Sequence, residues 1–267
     1  MEKCSEKITA YAKKKHVVIT ERGNAAIYAA LVLAKEKGCT TLLIPDQGGW
    51  LTFGKLGKKV GFEVLELKTN DALLTDASFS DIPDNSVLLF TTFAGYFAQQ
   101  DLSMIKNVCD EKSIFIIEDC SAALRTAFEP IGDILVCSFG KWKLINNYHG
   151  GCVCFDDDSF VSVLEDVKDE IKPKNLDYSK LLENLIKADE RYMFLVGMCG
   201  HVKHDLSQYA IVHKNRESLV VVISEEEDKK IDEIKNYCSS KSYEFTLLPR
   251  EIRLKQKGIS IEVKRLE

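Results

Sequence analysis

What this 267-residue sequence lacks narrows it before anything else does. No apolar run reaches the roughly 20 residues of a membrane-crossing helix, which predicts a protein with no membrane partner. There is no excess of positive charge: 36 Lys and Arg against 41 Asp and Glu give a net charge of -5, the wrong sign for a phosphate-binding surface, so no nucleic-acid partner is expected. The opening "MEKCSEKITAYAKKK" carries charge without an apolar core, which predicts no secretory leader and a cytoplasmic location. Neither GxGxxG nor GxxxxGK[ST] occurs, so neither a dinucleotide fingerprint nor a Walker loop is present. There is no internal repeat and no low-complexity linker.

The nine cysteines include no CxxC pair. They are scattered, most of them inside apolar runs such as "DILVCSF" and "GGCVCF", and buried free thiols are the expectation for a chain in a reducing compartment. The sharpest metal candidate is "CGHVKHD", with Cys199, His201, His204 and Asp205. No second ligand cluster accompanies it, so the stretch reads as a helix end and no metal is expected.

What is present is alternation. Apolar runs of strand length ("TTLLIP", "FEVLEL", "SVLLFTT", "SIFIIEDC", "GDILVCSF", "GGCVCFD") are separated by helical patterns such as "AAIYAALVLAKEKG" and "LSMIKNVCDEK". Strands apolar on both faces need cover on both faces, which predicts an α/β fold: a three-layer, mostly parallel sheet. Near Asp156 the texture changes to mostly helical sequence as far as about His204. A strand, a helix and two further strands follow, a small α+β unit of roughly fifty residues. The expected division is a large domain with trailing helices over residues 1–204 and a small domain over residues 205–267.

Ligands of open α/β sheets collect at the carboxyl ends of strands, and four strand ends here carry unusual residues. In "ITERGNAAIYAAL" the amides around Asn24 and Ala25 would open a helix and suit a phosphate. "LLIPDQGGWLTF" delivers Trp50, either to the core or to the same sheet edge. "SIFIIEDCSAA" ends a strand with Glu118 and Asp119, whose side chains must point to opposite sides; an inward carboxylate needs a cationic partner or takes up a proton. "CSFGKWKLINNYHGG" follows Ser138 with Lys141 and Lys143. A lysine held in a dry site becomes an amine nucleophile, although either lysine alone would read as surface.

In order and spacing these four elements resemble the fold-type I pyridoxal-phosphate (PLP) enzymes, and most closely the DegT/DnrJ family of sugar aminotransferases. "FIIEDCSAA" resembles the family's Glu-Asp element. "IGDILVCSFGKWKLINNYHGG" resembles its lysine element, with the Ser-to-Lys and Lys-to-Gly-Gly spacings intact, and "FTTFAGYFAQQDLSMI" the passage before them. The resemblance spans roughly residues 15 to 156. It implies that Lys143, and not Lys141, forms the Schiff base with pyridoxal 5'-phosphate. Asp119 would pair with the pyridine nitrogen and Trp50 would stack on the ring, its loop one residue out of the family's register. Ser138 with the Asn24 and Ala25 backbone would hold the phosphate.

Two features depart from the pattern. Ala122 stands where the family places Gln or His near the cofactor's phenolic oxygen, and the C-terminal region looks shortened, with "HKNRES" in place of an Asn-x-Arg segment. The expectation is a homodimeric PLP-dependent aminotransferase acting on a small amine or keto substrate, a keto sugar or an amino acid. Arg250 or Arg253 in "LLPREIRLK" would receive a substrate carboxylate. The alternatives are a non-catalytic or regulatory protein of the same fold, and a PLP-dependent lyase.

Overall fold

The computed structural model describes residues 1–125, 129–250, 252 and 254–267. The first two-thirds run α1 (Glu2–Ala12), β1 (His16–Thr20), α2 (Gly23–Glu36), β2 (Thr41–Pro45), α3 (Phe53–Val60), β3 (Glu63–Leu67) and β4 (Ser86–Thr91). A short hairpin of β5 (Phe93–Ala94) and β6 (Ala98–Gln99) precedes α4 (Leu102–Glu111), β7 (Phe115–Asp119), β8 (Ile134–Ser138) and β9 (Gly151–Phe155). Then come α5 (Ser159–Asp166), α6 (Lys168–Ile171), the long α7 (Tyr178–Asp205), β10 (Val221–Ser224), α8 (Asp228–Ser240), β11 (Phe245–Leu248) and β12 (Gly258–Ile261).

Local chemistry explains the boundaries. Alanine and leucine carry α2 until Lys37, with Gly38 at φ 84 turning the chain away. Asp101 caps α4 by accepting the Met104 N–H at 3.1 Å, and Asp177 caps α7 by accepting the Ser179 and Lys180 N–H groups.

The large sheet has the order β3-β2-β4-β7-β8-β9-β1. β3, β2, β4, β7 and β8 pair in parallel, and β9 runs antiparallel to both β8 and β1. Alternation sends Ile134 and Val136 of β8 to one face, into a cluster with α2, α3 and α5. Leu135 and Cys137 go to the other face, against α1 and α7, while α4 covers Leu43, Leu88 and Phe90 further along. The architecture is therefore α/β in three layers around a mostly parallel sheet, as the alternating pattern predicts. All nine cysteines are buried and free. Among the described residues no helix is long and apolar enough to cross a membrane.

β10, β12 and β11 form a second, antiparallel sheet in that order. Its residues Val221, Ile223, Ile259 and Ile261 share one hydrophobic cluster with Leu195, Cys199 and Val202 of α7 and with Cys4 and Ile8 of α1. The boundary expected after residue 204 falls at the end of α7, and the apolar core runs across it.

The sequence reading assigned no helix to the N-terminus, and α1 is the addition there. Its charged surface conceals three buried side chains spaced by four, Cys4, Ile8 and Ala12, which face α7. Arg125 clamps the pair: its Nη1 donates to Tyr11 Oη and to the Ile186 carbonyl of α7, both at 2.8 Å. Ile8 is fully buried, so Ile8→Ala should destabilise the protein by about 2–5 kcal/mol in urea unfolding, and a loss below about 0.5 kcal/mol would show that α1 is not docked.

Candidate active site

The carboxyl ends of β1, β2, β4, β7 and β8 open into one cleft of about 290 Å³. Arg22, Gly23 and Asn24 enter it from the start of α2, Gly48 to Trp50 from the loop after β2, and Thr91 from the end of β4. Gly95 and Tyr96 come from the β5–β6 turn, Asp119 and Ser121 from the end of β7, and Ser138, Gly140, Lys141 and Lys143 from the segment after β8. Ile252 closes one side.

The α2 end depends on a close approach that only glycine permits. A Cβ on Gly23 would lie 2.6 Å from Ser138 Cβ and 2.8 Å from its Oγ, so the bare backbone brings the helix start against the end of β8. No side chain caps this helix, and its N-terminus faces the cleft beside the Ser138 hydroxyl. The Asn24 side chain is engaged elsewhere: its Oδ1 accepts from Trp50 Nε1 at 2.8 Å and from Thr52 Oγ1 at 3.2 Å, tying the indole to the helix start. Trp50 therefore stands at the cleft, 36% exposed, and not in the core. Ala25 does not line the cleft, and its N–H donates to the Arg22 carbonyl at 3.0 Å.

The two adjacent carboxylates separate as alternation requires. Glu118 turns away and is 1% exposed. Its Oε1 accepts from Thr92 Oγ1 at 2.7 Å, and its Oε2 from the Ile131 and Gly132 N–H groups at 2.8 and 3.1 Å. Burial nevertheless holds its pKa above the carboxylate range, against those three donors. Asp119 faces the cleft and is half-buried. Its Oδ1 accepts from the Ser121 N–H at 3.0 Å and from the Ser121 hydroxyl. Burial raises this carboxyl too, opposed by the Lys143 ammonium and the Ser121 bonds.

The lysines also divide. Lys141 is exposed at the mouth, its Nζ 4.4 Å from the centroid of Trp142. Lys143 turns inward. Its Nζ donates a hydrogen bond to Tyr96 Oη and lies 5.2 Å from the Trp50 ring centroid and 4.8 Å from that of Tyr96. Trp142 between them takes φ 63, with its N–H on Asn146 Oδ1 at 3.1 Å, and this sharp turn aims successive lysines at different places.

The site thus brings together Asn24, Trp50, Asp119, Ser138 and Lys143. Arg250 lies outside the cleft lining, in a neighbouring depression with Leu51, Pro249 and Lys255, its Nη1 3.3 Å from Thr246 Oγ1. Arg253 falls outside the described residues. Ala122 is packed in the core, 4% exposed. Among the described residues no three His, Cys, Asp or Glu side chains gather as a metal site; Cys199 is buried while His204 is exposed beside Asp205.

Sequence reasoning did not single out Arg22, Tyr96 or Ser121. Ser121 had a local signal, since Asp-x-Ser favours a side-chain turn. Arg22 and Tyr96 had none. The cleft fits PLP in the kinds of group it offers: an open helix end and a hydroxyl for a phosphate, a carboxylate for a ring nitrogen, an indole for a ring face and an amine for an aldehyde.

Glu118 gives a pH test of this local chemistry. A carboxyl whose folded pKa is raised binds its proton more tightly in the folded chain. The stability it adds is full below the unfolded value of about 4.3 and is lost as pH rises through the folded pKa. Glu118→Gln keeps an acceptor for Ile131 and Gly132 and escapes the loss, so its Tm relative to the parent protein should climb as the pH rises above about 4. A difference that does not vary with pH would contradict the burial argument.

Solved structures share the whole fold at low identity. 3-Amino-5-hydroxybenzoic acid synthase is 14% identical with a TM-score of 0.75, over 98% of this chain and 85% of that one. A structure of SPT with PLP is 12% identical with a TM-score of 0.73, over 98% and 70%. The Helicobacter pylori aminotransferase involved in pseudoaminic acid biosynthesis is 12% identical with a TM-score of 0.72, over 97% and 84%. No curated protein matches the sequence. The DegT/DnrJ/EryC1/StrS aminotransferase family matches residues 1–170, the stretch that contains every strand of the large sheet together with Asp119, Ser138 and Lys143. The chain belongs to that family and is a PLP-dependent transferase.

Proposed function

We propose that this protein is an aminotransferase that carries PLP on Lys143 and moves an amino group between a small amine donor and a keto acceptor. The observation that carries the reading is the convergence of Lys143 and Asp119 on one cleft with the open end of α2 and Ser138. When bound, the cofactor supplies an electron sink for the bond-breaking step.

The chain's own groups supply the rest. Ser138 Oγ and the amides at the start of α2 hold the phosphate, next to an approach that Gly23 keeps narrow. Asp119 keeps a proton on the ring nitrogen; a cationic partner there adds to Lys143 in favouring its charged form, against the burial that raises it. Trp50, fixed by Asn24, covers the ring. With the cofactor bound, Lys143 Nζ would accept the proton leaving the substrate's α-carbon and would give that same proton back later in the transfer, so that none is lost to water. Arg22 and Lys141, both exposed at the mouth, are placed to receive a substrate anion, with Arg250 in the adjoining depression as a further cation.

A keto sugar acceptor is supported by the family and by the similarity to the pseudoaminic acid aminotransferase. The same cleft admits an amino acid as donor. Exposed Trp50 and Leu51 beside the mouth are the apolar surface that a second copy would cover, in keeping with a homodimer. Nine free, buried thiols suit the reducing cytoplasm.

Lys143→Ala should retain the fold by circular dichroism and lose amine transfer by about a thousandfold or more, with a panel of amino acid donors and keto-sugar acceptors, while Lys141→Ala keeps cofactor uptake. Undiminished transfer in Lys143→Ala would defeat the mechanism, and no transfer by the parent protein with the same panel would favour the non-catalytic reading that Ala122 invites.

A further inference from the structure

We infer that Tyr96 is a positioning residue for Lys143, its hydroxyl serving as a polar partner of the reactive amine. The inference rests on Lys143 being the cofactor lysine, as proposed above.

The backbone at Tyr96 points to it first. Residues Ala94 to Phe97 form a tight turn closed by the Phe97 N–H on the Ala94 carbonyl at 2.9 Å, joining β5 to β6. Gly95 has φ 49 and Tyr96 has φ 68, both left-handed, as in the mirror-image turns that join hairpin strands. Glycine or asparagine is the ordinary occupant of the second position, and a tyrosine there is disfavoured by its own Cβ. Such a conformation persists where the surroundings over-determine it, and they do here. The Tyr96 carbonyl accepts the Leu219 and Val220 N–H groups at 2.8 and 3.1 Å, just ahead of β10. On the other side, a Cβ on Gly95 would lie 2.3 Å from the Ile252 carbonyl oxygen, so the turn has no freedom to relax.

The disfavoured turn places a phenol in the cleft. Tyr96 Oη hydrogen-bonds Lys143 Nζ, and the Lys264 Nζ lies 4.0 Å from the ring centroid. A phenol hydroxyl accepts from an ammonium and donates to a neutral amine, so it holds Lys143 Nζ in both protonation states. That property suits a lysine that must give up and regain a proton, and Asp119 as a carboxylate lacks it. The β5–β6 turn thus brings a neutral hydroxyl to the amine.

Tyr96→Phe tests this, since it keeps the ring and the turn and removes one oxygen. In protein without PLP, trace acetylation with acetic anhydride and peptide mass mapping compare Lys143 with Lys141. The Lys143-to-Lys141 ratio should rise about threefold or more in Tyr96→Phe, because the phenol no longer holds the amine. In protein loaded with PLP, the pH midpoint of the visible band should move by about half a unit or more, with Lys143 still the residue fixed by borohydride. An unchanged or lower labelling ratio overturns the inference. If neither protein takes up PLP, the cofactor assignment fails, and the labelling ratio still decides whether Tyr96 holds Lys143.

Discussion

One hydroxyl joins the parts of this site. Ser121 Oγ donates to Asp119 Oδ1 and accepts the Ser138 N–H at 2.8 Å, so the carboxylate at the end of β7 and the turn after β8 are set by a single group. Parallel pairing of β7 with β8 puts the two strand ends side by side, and the bare backbone of Gly23 lets the start of α2 close on the second of them. Carboxylate, hydroxyl, open helix end and lysine then occupy one cleft without further adjustment. This is the preorganisation that a cofactor with a phosphate at one end and a ring nitrogen at the other requires.

The arrangement opposes the stability of the unloaded chain. Burial raises both Glu118 and Asp119, but their surroundings differ. Glu118 is satisfied by three donors and serves to hold the Ile131–Gly132 backbone behind β7. Asp119 has Ser121 and the field of Lys143, and one face left to the cleft. A cationic ligand would complete its local chemistry, a pattern that marks a binding site more than a packed core.

Much of this could be read from residue patterns. Strands apolar on both faces required helices on both sides, and α2, α3 and α5 on one face with α1, α4 and α7 on the other provide them. The family resemblance, counted from Ser138, singled out Lys143, and alternation required Glu118 and Asp119 to part: Lys143 Nζ reaches Tyr96 Oη while Lys141 is exposed at the mouth, and Glu118 turns to Thr92 while Asp119 lines the cleft. What the pattern concealed has physical reasons. α1 hides because three buried side chains spaced by four are diluted by lysines and glutamates. Trp50 reads from its own loop as a core residue first, and the Asn24 bond to its indole is what holds it at the cleft. Tyr96 is invisible because a left-handed tyrosine violates turn preference, and a rule broken for the site cannot be inferred from the rule.

The central claim is that Lys143 holds PLP in this cleft. It is tested most directly by adding PLP to the purified protein, recording the visible spectrum, reducing with borohydride and mapping the labelled peptide. The account predicts a yellow species whose reduction fixes the cofactor on Lys143, in the peptide that begins beyond Ser138. Label on Lys141, or no uptake of PLP at all, would contradict it.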